Sequence, residues 1–126
     1  MSCLFLKTNM GLEDIPDVKI DHYRFSKFVL VKGPDNRHYI HGVYFLARHE
    51  GLYDDFIEKV RCMDIDSSLF SGAGGGLLDW DLSKKELRAY DESVDLGKFN
   101  VDIVRQLLLN YVGRTPKLQG FSVKVD

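Results

Sequence analysis

Two hydrophobic periods alternate along this chain, and each change of period marks a new element. "RFSKFVLVKG" (24–33) is dense in aromatic and β-branched residues and predicts a strand. "GPDNRH" (33–38) supplies turn residues, and "YIHGVYFLA" (39–47) returns as a second strand, so 24–47 predicts a hairpin. Ahead of it, "IPDVKID" (15–21) predicts a short extended segment with Pro16 at its edge. From Glu50 the period lengthens: Leu52, Phe56, Val60 and Met63 recur at i, i+4, i+8 and i+11, with Tyr53 and Ile57 beside them. That stripe predicts a helix ending near Cys62 or Met63. "SSLF" (67–70) predicts an extended stretch running into "SGAGGG" (71–76).

Beyond the glycines, "LLDWDL" and "ELRAYD" flank Ser83, Lys84 and Lys85 and predict a second hairpin, and "DESVDLGK" (91–98) predicts a loop. A second helix opens at Phe99 and Asn100. Asn100 suits an N-cap, Phe99 and Val104 suit a hydrophobic staple, and Gly113 suits the residue past the C-terminus. Its apolar face is Val104, Leu107, Leu108 and Tyr111, and "FSVKVD" alternates as a final strand. The order is strands, helix, strands, helix, strand. It predicts an α+β fold: a mixed sheet of five or six strands flanked by two main helices.

At 126 residues the chain fits one domain, expected over 15–126 after a loosely ordered segment at 1–14. Charge changes the picture little, since the net charge of -2 comes from 17 basic and 19 acidic residues mixed along the sequence. No block of like charge suggests a nucleic-acid or membrane surface, and no apolar run approaches the ~20 residues that span a bilayer. Cys3 and Cys62 make neither a disulfide framework nor a metal pair. The expectation is a cytoplasmic monomer with reduced thiols, no cofactor, and neither nucleic acid nor membrane as partner.

Two residues carry candidate chemistry. His49 immediately precedes the first helix, and helix N-termini bind anions through unpaired N–H groups and a partial positive charge. An imidazole there, with an unperturbed pKa near ~6.5, can act as nucleophile or proton carrier. By position alone, the commoner case is a junction histidine that meets only water. Lys27 shares its strand face with Phe25, Val29 and Val31, so its ammonium needs an anion or an exit to solvent. "GAGGG" lacks the ending and the helix of a phosphate loop, and a tight backbone crossing suits it better. Ser93 can donate to an oxyanion from a turn, although Asp91, Glu92 and Asp95 oppose an anion there. His22 and His38 lie at turns. His41 sits eight residues before His49, ~26 Å along a straight strand. No metal-ligand cluster and no nucleophile elbow occurs.

Taken together, "IPDVKID", "FSKFVLVKG", "HGVYFLARHEGLYDDF", "GAGGG" and "AYDESVDLGK" resemble, in order and spacing, the protein phosphohistidine phosphatase family, also called Janus/Ocnus. The likeness runs from about Ile15 to Tyr111, with a final strand to match. It implies that His49 takes the catalytic position, as the family's His-Ala-Asp-Ile-Tyr/Phe pattern matches His49-Glu50-Gly51-Leu52-Tyr53. Lys27 takes the place of the lysine that orients that histidine and the phosphate. Ser93 and Gly97 match the phosphate-holding segment, and the N–H groups of Glu50 and Asp95 fall at its anion-binding positions.

The sequence departs from the pattern where His41-Gly42 replaces an Arg-Gly pair, which places His41 beside the expected phosphate site. It departs again where Leu77 follows the glycines in place of arginine, and where Asp91, Glu92 and Asp95 add carboxylates. These changes lower the positive potential of the expected site. The resemblance implies a metal-independent phosphatase for a phosphohistidine-bearing protein or a small phosphoramidate. The alternative is a paralogue without turnover that binds a protein or an anion.

Overall fold

The structure is a computed structural model and describes residues 11–22, 24–42 and 48–126. Among these residues six strands form one mixed sheet: β1 Val18–Ile20, β2 Phe25–Lys32, β3 His38–Gly42, β4 Ser71–Asp81, β5 Glu86–Tyr90 and β6 Ser122–Val125. Their order across the sheet is β1-β3-β2-β4-β5-β6. The inner pairs are antiparallel, whereas β1 joins β3 and β6 joins β5 in parallel. Two helices, α1 His49–Cys62 and α2 Val101–Gly113, complete the α+β architecture.

Strand periodicity divides the core into two. Phe28 and Leu30 of β2 face one way, joining Ile40, Leu78, Trp80 and Leu87 beneath Val104 and Leu108 of α2. Val29 and Val31 face the other way, joining Tyr39 beneath Leu52, Phe56 and Val60 of α1. A one-residue slip of β2 would exchange these sets, so burial on both faces fixes its register. α1 packs on β2 and β3. The neighbouring part of the same face carries charge instead, with ion pairs Arg24–Asp79, Arg88–Asp126 and Lys124–Glu86.

Most predicted elements stand where the periodicity put them. Asn100 caps α2, its Oδ1 accepting the Ile103 N–H at 3.0 Å, and Phe99 and Val104 share one core as a staple would. Four expectations change. The glycine run is part of β4 itself, pairing with β2 through Gly75 and Gly76. Ser67–Leu69 is a 3₁₀ turn capped by Asp66, whose Oδ1 accepts the Ser68 N–H, so the local cap overrides the extended reading. Gly113 closes α2 from within, and Arg114 follows as the C-cap. Cys62 is disulfide-bonded, not a reduced thiol, and its partner lies outside the described residues. Residues 1–10 of the expected loose segment and 43–47 of the expected hairpin strand also lie outside them. No helix among the described residues is long and apolar enough to cross a membrane.

The glycines of β4 let other segments touch its backbone. A Cβ on Gly74, whose φ is +116°, would lie 2.6 Å from the Phe99 Cα, and one on Gly76 would lie 2.5 Å from the Tyr90 carbonyl oxygen. Gly51 in α1 has nothing within 4 Å of the same position. Gly74→Ala should therefore destabilise the fold by about 2–3 kcal/mol. Gly51→Ala should stabilise it by about 0.5–1 kcal/mol. Urea unfolding of both variants checks the contrast, and effects of the same sign would contradict it.

Candidate functional site

The site is assembled where α1 begins, over the strand pair β2–β4. Arg48 is the N-cap of α1 with extended backbone (φ -127°, ψ 142°), and its side chain makes no capping bond. The first hydrogen bond of the helix is from the Leu52 N–H to the Arg48 carbonyl at 3.1 Å. The amides before it point out of the helix end and carry its positive pole. The Arg48 guanidinium instead pairs with Glu50 at 2.5 Å.

His49 is the first helical residue and is only 8% exposed. Its Nε2 lies 2.9 Å from the carbonyl oxygen of Gly76. A carbonyl can only accept, so Nε2 carries the proton and Nδ1 keeps its lone pair, which has no hydrogen-bond partner among the described residues. Gly75 makes room for the ring: a Cβ there would sit 2.8 Å from the His49 Cδ2 and 3.2 Å from the Ser93 Cβ. His49 and Ser93 thus flank a bare stretch of strand backbone.

Ser93 belongs to a loop folded tightly onto β4. The loop closes on itself through the Gly97 N–H to the Ser93 carbonyl at 2.8 Å, and the Gly75 N–H ties it to β4 through the Gly97 carbonyl at 3.1 Å. The Ser93 Oγ accepts the Leu96 N–H at 3.0 Å, leaving its hydroxyl proton available to donate. Ser93 is 1% exposed. Gly97 supplies the turn, with φ at +82°.

Around these groups lies a cleft of about 420 Å³ lined by Lys27, Arg48, His49, Leu77, Asp91, Glu92, Val94 and Asp95. Lys27 is half-buried on β2, and Leu77 is its register partner on β4. The three carboxylates of the loop are exposed. At water-like dielectric a carboxylate ~4 Å from another charge contributes about 1 kcal/mol, far less than the same pair at intermediate dielectric. A separate hollow of about 370 Å³ along α1, lined by Tyr53, Asp54, Ile57, Glu58, Arg61 and Ser67, holds none of the predicted site residues.

Of the residues singled out in the sequence, Lys27, His49 and Asp95 line one cleft, Glu50 stands at its helix end, and Ser93 and Gly97 shape its loop. His41 is elsewhere. It is 2% exposed on β3, where its Nε2 meets the Asp55 Oδ2 at 2.7 Å and its ring packs edge-on against Phe56. Lys59 binds the same carboxylate at 2.8 Å, so the trio clasps α1 to the sheet. Arg48 and Val94 line the cleft without having been singled out, although an arginine directly before a helix-opening histidine was a usable signal.

The family model for the Janus/Ocnus family (Ocnus) matches residues 12–114, and the chain belongs to that family. No curated protein matches it.

Two measurements follow from this geometry. The ring nitrogens of neutral His49 should show ¹⁵N shifts of a protonated Nε2 and a bare Nδ1; the opposite tautomer would remove the Gly76 bond. Burial holds the His41 imidazole below its ordinary 6.5, against the upward pull of Asp55. The folded state then binds fewer protons than the unfolded one, so stability is complete above pH ~6.5 and falls as pH drops toward the lowered folded value. The Tm of the wild type should fall between pH 7 and 5. His41→Gln should flatten that slope, and an unchanged slope would exclude His41 as its source.

Proposed function

We propose that this Janus/Ocnus family member is a phosphatase acting on phosphohistidine in proteins, with His49 as the reacting group. The observation that carries the reading is the seat of His49. Its Nε2–H is committed to the Gly76 carbonyl, which leaves a basic Nδ1 on a residue that lines the cleft with Lys27.

Phosphoryl transfer asks for positioning and for donors at the equatorial oxygens. The amides at the start of α1, the N–H of Asp95 and the hydroxyl of Ser93 are suitable donors, and Lys27 supplies a positive charge. Nδ1 would form a bond to phosphorus as the substrate P–N bond breaks, the departing imidazole taking a proton from solvent. Water would then hydrolyse the phosphorylated His49. In the general-base variant, water attacks phosphorus directly while its proton passes to Nδ1 and on to the leaving imidazole. The P–N bond of a phosphoramidate is labile, so neither route calls for a metal or a cofactor.

The acidic rim favours a second reading, a binding module without turnover, because three carboxylates outnumber two cations around the cleft. Phosphate release from a phosphohistidine peptide separates the two. His49→Ala should lower the rate by about 10²–10⁴-fold. Quenching in alkaline detergent, where the P–N bond survives, should trap labelled phosphate on wild-type His49 if it is the nucleophile. Equal rates for wild type and His49→Ala would overturn the assignment of His49. A wild type without turnover, whose Glu50 and Ser93 amides still shift with inorganic phosphate, would establish the binding module.

A further inference from the structure

The cleft carries a charge pattern that a phosphoryl group alone does not explain. Lys27 and Arg48 are its cations, and Arg48 is already paired with Glu50. Opposite them stand Asp91, Glu92 and Asp95, none of which joins an ion pair among the described residues. The one cation within their loop is otherwise engaged. The Lys98 Nζ donates to the carbonyls of Asp91 at 2.9 Å and Asp126 at 2.5 Å, and lies 4.1 Å over the Phe99 ring.

These carboxylates stand on a fixed frame. Beneath them the Ser93–Gly97 bridge and the Gly75–Gly97 bond hold the loop against β4. Among the described residues only Asp91 of the three has a local hydrogen bond, accepting the Glu92 N–H at 2.9 Å beside its own φ of +69°. Between them Val94 projects 99% exposed at the loop tip. Three carboxylates without an ion pair among the described residues thus surround an apolar tip on a loop bonded to β4. The buried His49, whose Nδ1 has no hydrogen-bond partner among the described residues, is the point in the same cleft at which a ligand would react.

We propose that the Asp91–Asp95 loop makes the cleft selective for a phosphoryl group flanked by positive charge: a phosphohistidine set among lysine or arginine residues of a protein chain. This inference rests on the reading of the cleft as a phosphoryl site. The phosphoryl group meets Lys27 and the start of α1, while the neighbouring basic side chains meet the loop carboxylates. Val94 contacts the apolar stems of those long side chains. A substrate with acidic flanks is repelled by the same loop, so the rim discriminates in both directions.

The test compares phosphohistidine peptides with Lys/Arg flanks and with Glu flanks. It uses wild type and the triple variant Asp91→Asn, Glu92→Gln, Asp95→Asn. Asparagine at 91 keeps an oxygen for the Glu92 N–H and tolerates a positive φ. Three exposed ion pairs correspond to about tenfold in kcat/KM. Wild type should prefer the basic peptide by about that factor at low salt, and the preference should shrink in 0.5 M NaCl and approach unity in the variant. A wild-type preference for the acidic peptide, or a variant that keeps the full ratio, would overturn the proposal.

Should no peptide be turned over, the hydrolysis reading fails, and binding decides this inference separately. Unphosphorylated Lys/Arg peptide should shift the amides of Asp91–Gly97 in wild type and not in the variant, with the Glu peptide inert. No response to the basic peptide would sink the inference.

Discussion

Everything at this site depends on the bare backbone of β4 at Gly74, Gly75 and Gly76. On the α2 side, the start of the segment that opens that helix lies so close that a Cβ on Gly74 would enter the Phe99 backbone. On the α1 side, the imidazole of His49 occupies the space that a Cβ on Gly75 would take. The Gly76 carbonyl then selects the tautomer of that imidazole. One side-chain-free stretch therefore sets the position of the loop, the seat of the histidine and its tautomer. Van der Waals exclusion gives a sharp limit here, because the neighbouring atoms at Gly74 and Gly76 are backbone and cannot rotate away.

Packing on the two faces of the sheet supplies the rest. α1 is held to β2 and β3 by Leu52, Phe56 and Val60, and by the His41–Asp55–Lys59 clasp one and a half turns beyond the site. The clasp serves position and not substrate, since its charges are spent on each other. The burial that lowers the His41 pKa also takes it out of reach of the cleft. A histidine where the family resemblance expects an arginine is thus a structural partner of the helix that opens with His49.

Element types were largely legible in the sequence because the helices bury one stripe each and β1 and β5 alternate buried and exposed positions, while β2, covered on both faces, reads as a continuous apolar run. The glycine run was legible as a place of close approach, yet not as a strand. With no side chain there is no alternation to read, and only pairing with Val29 and Phe28 makes it β4. Ser67–Leu69 was missed because a local Asp66 cap outweighs the extended preference of its residues. At the site, His49 and Lys27 were legible from position and face. Arg48 and Val94 were not singled out, and His41 was placed beside the expected phosphate site when its partner is Asp55, fourteen residues on.

Hydrophobic periodicity, caps and turn residues are local properties, so the sequence by itself determined the α+β class, the order of the elements and the histidine at the mouth of α1. Which groups converge on that histidine is a matter of long-range contact. Gly76 lies 27 residues from His49, and the 91–95 loop reaches it only by folding back over β4. Tertiary structure decided that convergence, because chain closure over β4 brings together charges and donors whose separation in sequence carries no trace of it.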